Sequence, residues 1–295
     1  MTKKEIVKQV KEVIEKNGYL QVAIEGVHSA VDLIAEKKDK KLLIKVVENI
    51  DSVSRDVALE LCKLADFIGA QPLIIGERSK NVVLSEDLIY KRFSISCVSA
   101  KGFEYLLDGL PQPIAAKGIG AKVRIDGTKL KEIRQINNIS AEELAQKIKI
   151  SKSSVYRYEH NYAYVSLEVA NRINNFFKSR LDAGKEEVES NILYSKDNEM
   201  QLAKTNVRAL SVKRLPFNII AKGKTNYYEI ASEGDIRTLV KRAVVLKEIM
   251  ETFKNNYSFF VIESDKKEIM DLPVIKKDKL YNISSEAELL EIIMS

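Results

Sequence analysis

The segment from Leu130 to Phe177 constrains this chain more than any other. Ser140 stands three residues before Glu143, the S-x-x-E spacing of a capping box, so a helix is predicted from Ala141. Ser151 is a second N-cap residue and predicts another helix from Lys152 to about His160. Only Lys149 and Ile150 lie between them. Two short helices joined by so tight a turn make a helix-turn-helix. Leu144, Ala145 and Ile148 form the inner face of the first, and small Ala145 suits a close crossing. Upstream, Leu130, Ile133 and Ile136 give one face to a preceding helix that Asn137-Asn138 break. Downstream, a helix after Ser166 brings Val169, Ile173 and Phe176-Phe177 to close the core.

Charge is concentrated on the same stretch. The 295 residues carry a net +6, divided as +1 over residues 1–120, +6 over 121–180 and −1 over 181–295. A positive module between neutral ones suits a polyanion-binding function, although a solvated helix face gives the same signal. A chain that is 45% hydrophobic and 31% charged is not disordered. Two cysteines, Cys62 and Cys97, cannot make a disulfide scaffold and fit a reducing compartment. With two histidines besides, a zinc site is nearly excluded, and no metal or cofactor is expected. No apolar run reaches the roughly 18 residues needed to cross a bilayer. The basic N-terminus lacks the apolar stretch of a signal peptide. A cytoplasmic protein, nucleoid-associated when bound to DNA, is therefore expected.

The flanks read as α/β. Before the module come a first helix, strands at Tyr19–Ile24, Ala30–Ala35 and Leu42–Val47, and a helix Ser52–Gly69. Strands at Leu73–Ile75 and Phe93–Val98 and a helix Ala100–Leu107 follow. After it come a helix near Glu199–Ala209, strands at Phe217–Ala221 and Tyr227–Ala231, and a helix Ile236–Phe253. A strand Ser258–Ile262 and a terminal helix from Ser284 end the chain. Expected domains are 1–112, 121–182 and 190–295, with the Gly- and Pro-bearing stretch after Asp108 as the first boundary. AVDLIAEKKDKKLLIKVVENI in the first parallels PFNIIAKGKTNYYEIASEGDI in the last, setting Asp32 opposite Asn218 and Ala35 opposite Ala221. The third domain is thus a possible repeat of the first, with a chance match of patterns as the alternative.

On those residues, the middle segment resembles the helix-turn-helix domain of phage Cro and repressor proteins. That pattern reads here as Leu130, Ile133-Arg134, Ile139-Ser140, Glu143-Leu144-Ala145, Ser151, Val155-Tyr156 and Glu159. The turn glycine is replaced by Lys149, at a cost of ~1 kcal/mol in a left-handed conformation. The resemblance implies duplex DNA as partner, with the second helix of the pair in the major groove. Val155 then faces the core, while Lys152, Ser153, Tyr156 and Arg157 face outward as the DNA-contacting set. Ser140, Glu143 and Ser151 are capping residues, and Arg134 and Glu159 fall where that family has an interhelical ion pair. Each outward residue is otherwise a plain surface side chain. Tyr158 is expected to pack inward, and Tyr162 and Tyr164 to serve packing or phosphate contact rather than base stacking.

The flanking order, with Asp32 ahead of the strand Leu42–Val47, is similar to the restriction-endonuclease-like fold. Active members of that fold pair an Asp with a D/E-x-K motif around Mg²⁺. Here Leu43 stands at the acid position if Lys45 is the lysine. The last domain offers Asn218 for the Asp, then Glu229 and Ala231. Both copies are degenerate, so no catalytic residue and no metal ligand is expected. The full layout resembles the archaeal transcriptional regulators of helix-turn-helix type, carried by IKVVENIDSVS and KRLPFNIIAK. The expected architecture is two degenerate restriction-endonuclease-like α/β domains flanking an all-α Cro-like module. The expected protein is a homodimeric DNA-binding regulator whose α/β ends serve dimerisation or sensing. A Mg²⁺-dependent nuclease and a DNA-bound scaffold are the alternatives.

Overall fold

The computed structural model describes residues 1–109, 122–123, 125–161, 165–179, 181, 199–202, 205–232, 234–264 and 266–294. Thr2 and Glu5 cap each other at the start of α1 (Lys3–Lys16), which buries Ile6, Val10 and Ile14 at helical spacing. Strands β1 (Leu20–Ala23), β2 (Leu33–Lys37) and β3 (Lys40–Val46) form an antiparallel meander. Ser54 caps α2 (Arg55–Ile68), and Gly69 ends it at φ 69°, a left-handed turn that glycine adopts without strain. Strand β4 (Gln71–Ile75) then lies parallel to β3. The small hairpin β5 (Arg78–Ser79) and β6 (Val82–Val83) leads on to β7 (Tyr90–Arg92), β8 (Ile95–Val98) and α3 (Ala100–Leu107). The sheet order is β1-β2-β3-β4-β8-β7.

The middle of the chain is helical. β9 (Lys122–Val123) pairs with β10 (Val165–Ser166), and between them run α4 (Gly127–Ile136), α5 (Ala141–Lys147) and α6 (Lys152–Glu159). α7 (Leu167–Phe177) follows, started by the Ser166 side chain. Leu130, Leu144, Ile148, Val155 and Ile173 are buried together. Leu88 of the first α/β unit is fully buried in the same cluster, and Tyr90 packs beside it. The helical module is therefore seated on the first sheet's β7 edge.

The rest comprises β11 (Glu199–Gln201), β12 (Arg208–Ser211), β13 (Ile219–Lys222), β14 (Tyr227–Ala231), α8 (Ile236–Thr252) and β15 (Asn256–Val261). β16 (Glu268–Ile269), β17 (Leu272–Ile275), α9 (Lys277–Asn282) and α10 (Glu286–Met294) complete it. The second sheet runs β11-β12-β13-β14-β15-β17-β16. Its pairings follow the first: β13–β14 is antiparallel like β2–β3, and β14–β15 and β15–β17 are parallel like β3–β4 and β4–β8. Equivalent backbone bonds fix the register. Asp32 N donates to Ile44 O at 2.8 Å and Asn218 N to Ile230 O at 2.8 Å.

One apolar cluster joins the two sheets. Leu43, Leu61 and Leu64 from the first unit pack with Phe217, Ile220, Leu246 and Phe253 from the second. Polar links pin the same boundary: Ala30 N donates to Arg214 O at 2.6 Å, and Lys213 N to Glu60 Oε2 at 3.1 Å. Each of these two faces therefore covers the other within one chain.

Other local expectations also change. Residues 199–201 and 208–211 are strands, not the expected helix over Glu199–Ala209. Ala209 and Leu210 point to opposite cores and are both buried, and ladder pairing to β13 satisfies their backbone. Ile136 is 78% exposed at the end of α4, so Leu130 and Ile133 carry that helix's inner face. Phe176 is exposed and meets Phe177 edge-on, their ring centres 4.9 Å apart. Tyr162, Tyr164 and the boundaries expected at 112, 121, 182 and 190 lie outside the described residues.

Candidate nucleic-acid interface

The sequence builds the helical pair from its caps. Ser140 Oγ accepts from Glu143 N at 3.1 Å, and Glu143 Oε2 accepts from Ser140 N at 2.7 Å. This arrangement holds the Glu143 carboxyl below its ordinary range, because the backbone N–H favours the ionised form. Ser151 Oγ accepts from Ser154 N at 3.1 Å and starts α6. Lys149 makes the turn at φ 54°, and Ile150 N closes it onto Ala145 O at 2.9 Å. Gly127 lets α4 touch the end of α6, since a Cβ there would fall 2.1 Å from Tyr158 O.

Arg134 and Glu159 tie α4 to α6. Arg134 Nε and Nη2 donate to the two Glu159 carboxylate oxygens at 2.6 and 3.0 Å, and Nη1 donates to Ile139 O at 2.9 Å. Glu159 is 7% exposed. With its guanidinium committed inside the module, Arg134 has no reach toward a ligand.

Lys152, Ser153, Tyr156 and Arg157 are all exposed on α6: Ser153 and Arg157 lie on the side away from buried Val155 and Glu159, Tyr156 flanks it, and Lys152 is exposed in the first turn. Lys152 Nζ reaches Glu142 Oε2 at 3.2 Å, a solvent-exposed pair that costs little to exchange for a phosphate. Ser153 Oγ lies 2.9 Å from Ser151 Oγ. Tyr156 is 56% exposed, with its ring centre 4.0 Å from that of His160. Tyr158 is partly buried against the core. A convex helix face bearing two cations, a hydroxyl and a phenol can donate to phosphates and to base edges.

The second candidate centre is at Asp32. Its Oδ1 accepts from Lys3 Nζ at 2.7 Å, and its Oδ2 accepts from Val46 N at 2.7 Å, with Lys45 Nζ at 3.2 Å. Lys45 Nζ also donates to Ser29 O at 2.6 Å. Burial pulls the Lys45 amine below its ordinary range, against the opposing pull of Asp32. Both carboxylate oxygens are thus spent on protein donors, and Leu43, at the acid position, is fully buried. The donor set does not fit a divalent cation, which needs several oxygen ligands and is repelled by two ammonium groups.

At the equivalent point of the second sheet, Asn218 Oδ1 accepts from Ser232 N and from Arg242 Nη1, both at 3.0 Å. Glu229 replaces Leu43, is almost fully buried, and accepts from Ser258 Oγ at 3.0 Å. Burial pushes its carboxyl up to about 7. Among the described residues no cluster of three metal-ligating side chains occurs. Between pH 4.5 and about 7 the folded chain therefore holds a proton at Glu229 that the unfolded chain has released. Stability contributed by this group should decline as pH rises through that window. Glu229→Gln should flatten the decline in urea melts taken across it.

What the sequence could not supply is the seat of the module. Leu88 and Tyr90 meet the helical core across a long separation in the chain, and no local pattern marks them.

Comparison with known proteins places these features. Residues 3–111 match the family model described as PD-(D/E)XK superfamily domain, and residues 130–183 match the model described as Helix-turn-helix. A protein of Methanocaldococcus jannaschii named "Putative HTH-type transcriptional regulatory protein" is 31% identical over 90% of this chain and 89% of its own. Proteins of the same name from Pyrococcus horikoshii and Thermococcus kodakarensis are each 31% identical. They cover 99% of this chain, and 98% and 96% of their own.

Proposed function

Because the chain belongs to the archaeal HTH-type transcriptional regulatory proteins, members of which match 90% to 99% of it, we propose that it reads duplex DNA by laying α6 in the major groove. It is a DNA-binding transcriptional regulator. The observation that carries the finer reading is the exposed set Lys152, Ser153, Tyr156 and Arg157 on a helix held in the module by buried Val155 and the Arg134–Glu159 pair. Arg157 and Lys152 can take guanine O6 and N7, and Ser153 and Tyr156 can take bases or phosphates. The domains of this reading are 1–112, 121–182 and 190–295, with the last a degenerate repeat of the first.

The α/β units carry no catalysis in this reading. Asp32 holds Lys3, Lys45 and the Val46 amide instead of a metal, which supports a structural role. No described helix is long and apolar enough to cross a membrane, in keeping with a cytoplasmic, nucleoid-associated protein. The active form is a homodimer, because one such module reads too few base pairs to find its site among a genome's competitors. Two modules on a twofold axis read half-sites about one helical turn apart. The intrachain pairing of the α/β faces directs self-association to other surfaces.

The test is a titration of the full chain against duplex DNA at several salt concentrations, with light scattering of the free protein. Binding should weaken steeply as salt rises. The free protein should scatter as about twice the 33.4 kDa chain mass. Absence of binding at low salt, or a strict monomer with and without DNA, would contradict this reading.

A further inference from the structure

The two α/β units bring together charges that are far apart in the chain. The turn between β2 and β3 carries Lys37, Lys38, Lys40 and Lys41, and the end of β13 carries Lys222 and Lys224. The intrachain pairing sets these hairpins side by side. Lys41 Nζ lies 4.2 Å and Lys222 Nζ 5.3 Å from the centre of one ring, that of Tyr227. Lys38, Lys40 and Lys224 are exposed on the same two hairpins, while Lys37 Nζ donates to Asn17 O at 2.6 Å. The carboxyl groups nearby are Glu36 and Asp39 on the first hairpin, Glu229 beneath Lys41, and Glu286. Glu286 is already engaged by Asn226 Nδ2 at 3.0 Å, the Tyr228 hydroxyl at 2.9 Å and Lys224 N at 3.1 Å. Six ammonium groups from two hairpins therefore share one end of the molecule, Lys37 among them bonded to Asn17 O, against four carboxyl groups, of which Glu229 is buried.

Like charges gathered this way repel one another, and a polyanion relieves the repulsion. We infer that the paired hairpins are a second DNA-backbone contact, separate from α6, which holds duplex phosphates without reading sequence. The phosphodiester backbone is the partner favoured here because the chain already binds DNA. The patch offers what nonspecific binding uses: several flexible ammonium donors and an aromatic ring between them. The helical module is seated through Leu88 and Tyr90, at the C-terminal end of β8, whereas the lysines lie at the start of β3. A strand of this length spans roughly 23 Å at about 3.3 Å per residue. The two surfaces are thus well separated, and a duplex must run on past the α6 site to meet both.

The experiment compares the full chain with Lys38→Gln/Lys40→Gln/Lys224→Gln and with the matching triple Arg variant, on a long random-sequence duplex. Each lysine that neutralises a phosphate contributes about 0.9 to the slope of log K against log salt, so the Gln triple should reduce that slope by about two to three. The Arg triple should keep the original slope. The same Gln triple is then placed in an Arg157→Ala/Lys152→Ala background. Residual salt-sensitive binding should survive in that background alone and vanish in the combined variant. This arm separates the two surfaces, because failure of the α6 reading leaves the effect of the Gln triple intact. An unchanged slope in the Gln triple would overturn the inference. So would an equal reduction in the Arg triple, or a Gln-triple effect on single-stranded RNA with none on duplex DNA.

Discussion

Arg134→Ala should destabilise the helical module by about 3–5 kcal/mol, because it strands a buried carboxylate. Glu159 is 7% exposed and receives two guanidinium donors at 2.6 and 3.0 Å. Ile139 O would lose its donor as well. Against the 5–15 kcal/mol typical of a whole domain, that loss removes a large share of the module's stability. The measurement is urea unfolding followed by far-ultraviolet circular dichroism, since the chain has no Trp. Arg134→Met/Glu159→Leu, which removes both charges, should recover much of the loss. A cost below about 1 kcal/mol for Arg134→Ala would mean that the pair behaves like a surface ion pair.

Asp32→Ala is the second large effect, and it divides a structural role from a catalytic one. The side chain accepts the Val46 amide at 2.7 Å and faces Lys3 and Lys45 at 2.7 and 3.2 Å. Removing it leaves Lys45 part-buried with only the Ser29 carbonyl, and an interior N–H without its acceptor. The unmade amide bond costs about 1–3 kcal/mol, and the broken partly buried pair brings the total to about 3–5 kcal/mol. Asp32→Asn should restore part of it, because Asn218 makes the corresponding bond to Ser232 N as a neutral amide. Supercoiled plasmid incubated with Mg²⁺ or Mn²⁺ should stay intact with wild type and variant alike. A metal-binding Asp32 behaves oppositely: nicking by wild type, abolished in Asp32→Ala with stability kept.

The caps were legible because they are local. Ser140, Glu143 and Ser151 act through bonds within three residues, so a short window of sequence contains both partners. The register of Asp32 on Asn218 could be read as an alignment because both positions lie in strand meanders of the same order. What the sequence misled on was decided by burial at a distance. Ala209 and Leu210 read as helical, yet each is covered from a different side, and β13 takes their backbone bonds. Ile136 had the right spacing for a core face, but no described element covers it at the last turn of α4. The mutual covering of Leu43 and Phe217 joins residues from opposite ends of the chain, and neither hairpin announces the other. At α6, the periodicity that buries Val155 also picks out Ser153 and Arg157 as outward, while Lys152 owes its exposure to the first turn. It carries nothing about which bases they meet.

The central claim is that α6 reads sequence, and Arg157 tests it most directly. The experiment selects a preferred duplex from a random pool with the full chain, then measures wild type and Arg157→Ala on that duplex and on a scrambled one. The account predicts a loss of about 1–3 kcal/mol on the selected site, relaxed preference at one base pair, and little change on the scrambled duplex. Equal weakening on both would make Arg157 a phosphate contact, and no selectable sequence at all would contradict the account.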